Sequence, residues 1–275
     1  MAHEKLLLGQ ATDYPVRYAP EVLFPIARRE GRAAVGLGEG DVLPFQGDDL
    51  WTHYEVSWLE SSGKPRIAAA EIRVPATSPC LIESKSLKLY FNSLNFERFA
   101  SEQDFLKRVT EDLSRAAQAP VAISLILPGA HERAAVRDLP GTCLDDLPLA
   151  CEAFAMDPST LRVAADPAVV EETLHSHLLR SLCPVTNQPD WGSVLVRYRG
   201  PRIDHQGLLA YLVSYRSHAD FHEQCVERIF MDIRRQCRPE VLTVYARYTR
   251  RGGLDINPFR SDFEALPEGL RLFRQ

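Results

Sequence analysis

From Trp51 to Glu60 apolar and polar residues alternate, with Thr52, Tyr54, Val56 and Trp58 on one predicted face. Ser61-Ser62-Gly63-Lys64 makes a turn, and Pro65 to Val74 reads as the returning strand of a hairpin. After Ser78-Pro79, the stretch Cys80 to Tyr90 runs towards helix. A longer helix is predicted over Glu102 to Ala117, where Phe105, Val109 and Leu113 recur at helical spacing. Pro120 to Leu127 then reads as a strand.

A similar order recurs further on. Val169 to Leu179 and Ser193 to Tyr198 read as strands, Gln206 to Arg216 and Phe221 to Cys237 as helices, and Glu240 to Tyr248 as a closing strand. Strand, strand, helix, helix, strand thus appears twice, too far apart for a solenoid. The fold class is α+β: two modules, each an antiparallel sheet with helices on one face. The predicted divisions are an irregular N-terminal segment at 1–48, a first module at 49–128, a connection at 129–168 with a short strand at Leu161 to Ala164, and a second module at 169–275.

Composition narrows the function classes. The chain has 275 residues, 45% hydrophobic and 25% charged, as expected of a globular protein with a sizeable core. Its net charge of -5 argues against a broad nucleic-acid footprint. Met1 to Gln10 holds a short Leu6-Leu7-Leu8 run without the pattern of a signal peptide, and no segment reaches the length of a membrane span. Six scattered cysteines without a Cys-x-x-Cys suit free thiols in a reducing cytoplasm. Gly36-Leu-Gly38-Glu-Gly40 lacks the strand and helix that a dinucleotide fingerprint requires.

Candidate chemistry centres on Ser181 to Ser193, whose prolines, asparagine and glycine deny it a regular period and predict a loop. It sets Cys183 seven residues before Asp190, a thiol and a carboxylate that could act as nucleophile and proton carrier. By residue type alone Cys183 could equally be a small core hydrophobe. Glu83-Ser84-Lys85-Ser86 reads as a helix start capped by serine, or as an anion site of Ser84, Lys85 and the first-turn amides. Asp220-Phe221-His222-Glu223 resembles a capping box with Asp220 as cap, yet puts a titratable ring and a carboxylate at a helix mouth. Arg247 and the run Arg250-Arg251-Gly252-Gly253 could clamp a phosphate or form a solvated turn. His175 and His177 share a strand face, but no third ligand stands at zinc spacing, and they read as surface or interface residues.

Taken together, four stretches resemble the NADPH-dependent 7-cyano-7-deazaguanine reductases, nitrile reductases of queuosine synthesis and hence of tRNA modification. They are Glu83 to Tyr90, Leu182 to Gly192, Phe221 to Cys225 and Arg250 to Pro258. The signature in the first half and the cysteine in the second resemble the family's long, two-module branch. The resemblance implies tandem tunnelling-fold modules, a homodimer, and NADPH as cofactor. It implies Cys183 as nucleophile and Asp190 as general acid/base. Ile82, Glu83, Ser84, His222 and Glu223 would contact a 7-deazapurine nitrile, and Ser84, Lys85, Arg251 and Gly252 would contact NADPH. No metal is implied. Two other readings remain at this level: a metal-dependent hydrolase of the cyclohydrolase kind, and a non-catalytic purine- or RNA-binding module.

Overall fold

The computed structural model describes residues 14–130, 136–151, 154–166, 168–267 and 270–275. The leader reading of Met1 to Gln10 lies outside them. In chain order the elements are β1 (Pro25–Ala27), α1 (Arg28–Ala34), β2 (Asp48–Glu60), β3 (Pro65–Pro75), β4 (Cys80–Ile82), α2 (Ser84–Ser93), β5 (Arg98–Phe99), α3 (Glu102–Ala117), β6 (Ala122–Ile126) and β7 (Thr142–Cys143). Then follow β8 (Val169–Ser176), β9 (Arg180–Leu182), β10 (Pro189–Pro201), α4 (His205–Ser214), α5 (His222–Cys237), β11 (Val241–Tyr248) and β12 (Leu254–Ser261). Among the described residues no helix is long and apolar enough to cross a membrane.

The predicted hairpins and paired helices are present, and the class is mixed α+β with antiparallel pairing along the sheet from β6 to β8. What joins the halves is β12, to which the periodicity assigned no element. Its first part pairs with β2, from Leu254 opposite His53 to Pro258 opposite Asp49. Its last part pairs with β11, from Phe259 opposite Tyr245 to Ser261 opposite Thr243. The result is a ten-stranded sheet running β6-β3-β2-β12-β11-β10-β8-β7, with β5 and β9 attached beside this path. Asp255, Asn257, Pro258 and Arg260 disguise a strand that is buried on both faces. Pro258 sits where the pairing changes partner, and there its missing N–H costs least.

Helices cover one face of this sheet. Leu254 and Ile256 of β12 pack with Trp51, Val56, Trp58, Leu87, Phe105 and Val109, while Arg260, two pleats further along, meets α5. Leu174, Val196, Leu208, Leu212, Ile229 and Val244 build the second core. The opposite face is narrower in its cover: Leu195, Tyr245 and Phe259 pack against Leu139, Leu266, Leu270 and Leu272.

Several local expectations change. The face predicted for β2 fails at Tyr54–Glu55, because the register shifts between His53 and Val56 and sets those two residues opposite Ala69. This bulge carries the buried face from Trp51 and His53 to Val56 and Trp58, and leaves Thr52 and Tyr54 on the other. Residues 20–34, read as irregular, contain a 3-10 turn, β1 and the short helix α1. The helix predicted from Cys80 starts only at Ser84, since Cys80–Ile82 is spent pairing with β1. The strand expected at Leu161 to Ala164 is a single bridge, Val163 to Ile203.

Elements α1, β2, α5 and β12 are tied together by buried charge. Arg260 is completely buried, with Nη2 at 2.8 Å from Asp49 and 2.9 Å from Glu227. Arg28 contacts Asp49 at 2.5 Å, and Arg32 contacts Glu227 at 3.0 Å. Each buried charge therefore has a partner of opposite sign, which burial requires.

Candidate active site

The segment predicted as one long loop is a tight hairpin. Leu182 pairs with Pro189, Ser181 with Asp190 and Arg180 with Trp191. The turn is closed by Cys183 N–H donating to Gln188 O at 2.9 Å and Asn187 N–H donating to Cys183 O at 3.0 Å. Asn187 takes the left-handed conformation (φ 55°), which asparagine tolerates better than most residues. Cys183 thus opens the turn, whereas Asp190 stands in β10 with its backbone fixed by the ladder.

Both residues line a narrow cavity with about 20 Å³ of free space, room for about one water, so a ligand has to part its walls. Its wall also includes Trp51, Ile82, Ser84, His222, Glu223, Arg251 and Ile256, drawn from β2, β4, α2, α5, the turn after β11, and β12. The cavity therefore lies where the two halves meet. Cys183 is buried at 3% exposure, so its thiol faces the cavity and not bulk water.

Asp190 carries the strongest electrostatic contacts. Its Oδ1 lies 3.1 Å from Arg251 Nη1, and its Oδ2 lies 3.6 Å from His222 Nε2. Burial pushes the Asp190 carboxyl above the usual carboxylate range, and Arg251 and Lys88 oppose that rise. His222 is pushed down to about 3, first by burial and then by the same two cations, so its ring is neutral at physiological pH. That ring meets Tyr248 edge-on at 4.0 Å.

Glu223, in the first turn of α5, is 2% exposed and pushed up to about 8 by burial and the neighbouring Asp49 carboxylate, with Arg28 opposing. Its Oε1 has no hydrogen-bond partner, nor does the buried Nε1 of Trp51 in the same wall. An orphaned acceptor and an orphaned donor facing one cavity fit a ligand that offers both an N–H and an acceptor.

The helix start at α2 is arranged differently from either sequence reading. Glu83, not Ser84, is the cap: its Oε1 accepts from Lys85 N–H at 2.8 Å and its Oε2 from Ser86 N–H at 2.7 Å. Two first-turn amides are thereby used, so an anion here would rely on side chains instead of free amides. Glu83, Lys85 and Gly252 lie beside the cavity wall, while Ile82, Ser84 and Arg251 are in it. At α5 the cap is Phe221 in place of Asp220, whose Oδ1 accepts from Phe221 N–H at 3.1 Å. Arg247 is no phosphate clamp: it is buried and donates to Gln275 Oε1 and the Tyr245 hydroxyl.

Lys88 and Trp51 were missed by the sequence reading. Lys88 is half-buried one turn beyond Ser84, and its pKa is lowered by burial and by Arg251. A Cβ on Gly252 (φ 58°) would meet Lys88 Nζ at 2.7 Å, so the glycine lets the lysine reach across the turn. Helical spacing from Ser84 was the available signal for Lys88. Trp51 offered none, because only the folded chain orphans its indole N–H.

A buried thiol, a carboxylate held between cations and a second carboxylate with a free acceptor define a site for covalent chemistry on a nitrogen-rich, purine-like ligand. Residues 14–125 match the family model described as nitrile reductase, 7-cyano-7-deazaguanine-reductase N-term, and residues 189–265 match the QueF-like protein family. The Ralstonia nicotianae protein named NADPH-dependent 7-cyano-7-deazaguanine reductase is 50% identical over 277 residues, covering 100% of each chain. Proteins of that name from Chromohalobacter salexigens and Chromobacterium violaceum are each 52% identical, over 98% of this chain and 96% of theirs. The chain belongs to the NADPH-dependent 7-cyano-7-deazaguanine reductase family.

Proposed function

We propose that this chain reduces the nitrile of 7-cyano-7-deazaguanine to the primary amine, 7-aminomethyl-7-deazaguanine, with Cys183 as nucleophile, in queuosine synthesis. The observation that carries the reading is the convergence of Cys183, Asp190 and the unpartnered Glu223 Oε1 on one cavity, in a chain of this family.

The residue types suit the reaction. Sulfur is nucleophilic as thiolate and leaves well afterwards. Arg251 and Lys88 favour the anion of Asp190, which supports Asp190 as the group that takes the thiol proton as sulfur attacks the nitrile carbon. A thiolate and the carboxylate then never face each other as two anions. Asp190 passes the proton to the nitrile nitrogen, giving a thioimide on Cys183. NADPH, when bound, supplies hydride, and two equivalents are needed for the four-electron change. The first reduction yields a thiohemiaminal, which expels Cys183 to leave an imine; the second, with protons from solvent, yields the amine and the original thiol.

Glu223 would receive the N–H groups of the deazaguanine edge, and neutral His222 would border the same ligand beside Ile82 and Ser84. Glu83 would act indirectly, by holding the start of α2. The cofactor phosphates fit the cationic side of the site, where Lys88 stands near Arg251 and Gly252, and Lys85 follows Ser84 at the start of α2. We also assign the halves to tandem tunnelling-fold modules at 49–128 and 169–275, supported by the order β2-β3-α2-α3-β6 against β8-β10-α4-α5-β11. A homodimer in the cytoplasm, without direct nucleic-acid binding, completes the proposal; the net charge of -5 and the free cysteines agree with it.

The deciding experiment follows NADPH absorbance with the nitrile as limiting substrate. Two cofactors oxidised per nitrile support the reading, and no turnover favours a binding module. Without cofactor, the nitrile adds its mass to the protein, and Cys183→Ala removes that adduct; an adduct surviving in the variant places the nucleophile elsewhere.

A further inference from the structure

His175 in β8 and His177 just past its end have the third ligand that the sequence spacing did not reveal. β7 runs parallel to β8 with Cys143 opposite His175, on the edge of the ten-stranded sheet. The ligand atoms of Cys143, His175 and His177 all lie within 4.8 Å of one another. The thirty-one residues between Cys143 and His175 hide this neighbourhood from any motif search.

The surroundings are those of a built site. His175 is 7% exposed, and its Nδ1 lies 3.0 Å from the carbonyl of Pro140. A carbonyl only accepts, so Nδ1 carries the proton and Nε2 keeps its lone pair for a cation. His177 Nδ1 is held 2.8 Å from Ser193 Oγ, which in turn receives Arg274 Nη2 at 3.2 Å. Metal-binding histidines are commonly oriented in this way through their other ring nitrogen. Asp145 accepts from the backbone N–H of His177 at 3.0 Å and from Ser176 Oγ at 2.6 Å, fixing the strand end that carries the histidines.

The approach of β7 is itself specified. Gly141 has φ 89°, and a Cβ there would fall 2.0 Å from the carbonyl of Thr173. Only glycine lets the chain come in close enough to set Cys143 beside the imidazoles. A two-residue strand at a sheet edge has little pairing to hold it, and a shared metal would supply what is missing.

We propose that Cys143, His175 and His177 bind one Zn²⁺, with the fourth position open to water. One thiolate and two imidazoles suit zinc and exclude the hard cations Mg²⁺ and Ca²⁺. Tetrahedral zinc sets its donors roughly 3.5 Å apart, from the usual Zn–N and Zn–S lengths. The three donors begin within 4.8 Å of one another and would draw together on the ion. This site shares no residue with the cavity of Cys183, and the proposal stands whether or not the reductase reading does.

Cobalt tests it, because thiolate-bound Co²⁺ shows a charge-transfer band in the near ultraviolet. Chelator-treated full-length protein, titrated with Co²⁺, is expected to develop that band to one equivalent and lose it on addition of equimolar Zn²⁺. Cys143→Ser abolishes the band, His177→Ala weakens Zn²⁺ binding by at least about 100-fold, and Ser193→Ala weakens it by about 10-fold. Cys183→Ser leaves the band unchanged. No thiolate band, a band surviving in Cys143→Ser, or a band lost in Cys183→Ser would each overturn the proposal.

Discussion

Asp190 Oδ1 lies 3.1 Å from Arg251 Nη1, so a carboxylate on β10 is clamped by the turn that leads from β11 into β12. The contact lies within the second half, beside the strand that joins it to the first. It favours the anion of a carboxylate that lines the cavity with Cys183.

A pH profile reads this contact directly. Arg251 and Lys88 both lower the Asp190 pKa against the upward push of burial. Removing either cation therefore raises it. With Asp190 accepting the thiol proton as carboxylate, the acid limb of kcat/KM moves to higher pH in Arg251→Met and in Lys88→Met. An acid limb that stays put, or moves down, rules out Asp190 as the base.

Glu223 makes a second pH-dependent claim. Its pKa rises from an ordinary 4.5 to about 8 on folding, so the folded state holds a proton that the unfolded chain has released between those values. The contribution of Glu223 to stability is full below about pH 4.5 and is lost as pH rises towards about 8. In Glu223→Gln the fall of Tm over that window becomes shallower. A ligand whose N–H groups seek a carboxylate should expel this proton near pH 7. Calorimetry in buffers of different ionisation enthalpy is expected to show proton release on binding 7-cyano-7-deazaguanine, and none in the variant.

The buried charge cluster predicts a stability effect away from the chemistry. Arg260→Ala leaves Asp49 and Glu227 facing each other with one counter-ion fewer in a water-free site. The expected cost is about 3–5 kcal/mol, seen as a lower urea midpoint. A loss below about 1 kcal/mol would show that water enters and solvates the two carboxylates.

Much of the fold was legible along the chain because its cores are built by regular alternation. Phe105, Val109 and Leu113 announce α3 by spacing alone, and all three are fully buried. The failures occur where one period gives way to another constraint. Tyr54–Glu55 form a bulge, which shifts register without changing composition. In β12, Asp255, Asn257 and Arg260 are polar, yet a central strand buries them because each finds a partner elsewhere: Tyr54, Leu50 and Glu227 respectively. Asp190 looked like part of a loop because prolines flank its turn, although its own backbone is in a ladder.

The cavity itself divides in the same way. Cys183, Asp190, His222 and Glu223 stood out by residue type within recognisable motifs. Lys88, Trp51 and the use of Glu83 as a helix cap did not, since each depends on what a neighbour leaves unsatisfied.

By itself, the order of residues determined most of the longer helices and strands and the short motifs that bear reactive groups, because these depend on local period and turn chemistry. Tertiary structure decided which charges are paired, which polar atoms remain free, and that Cys143 stands beside His175. Those are matters of distance between segments remote in sequence, and only closure of the sheet through β12 and β7 sets them.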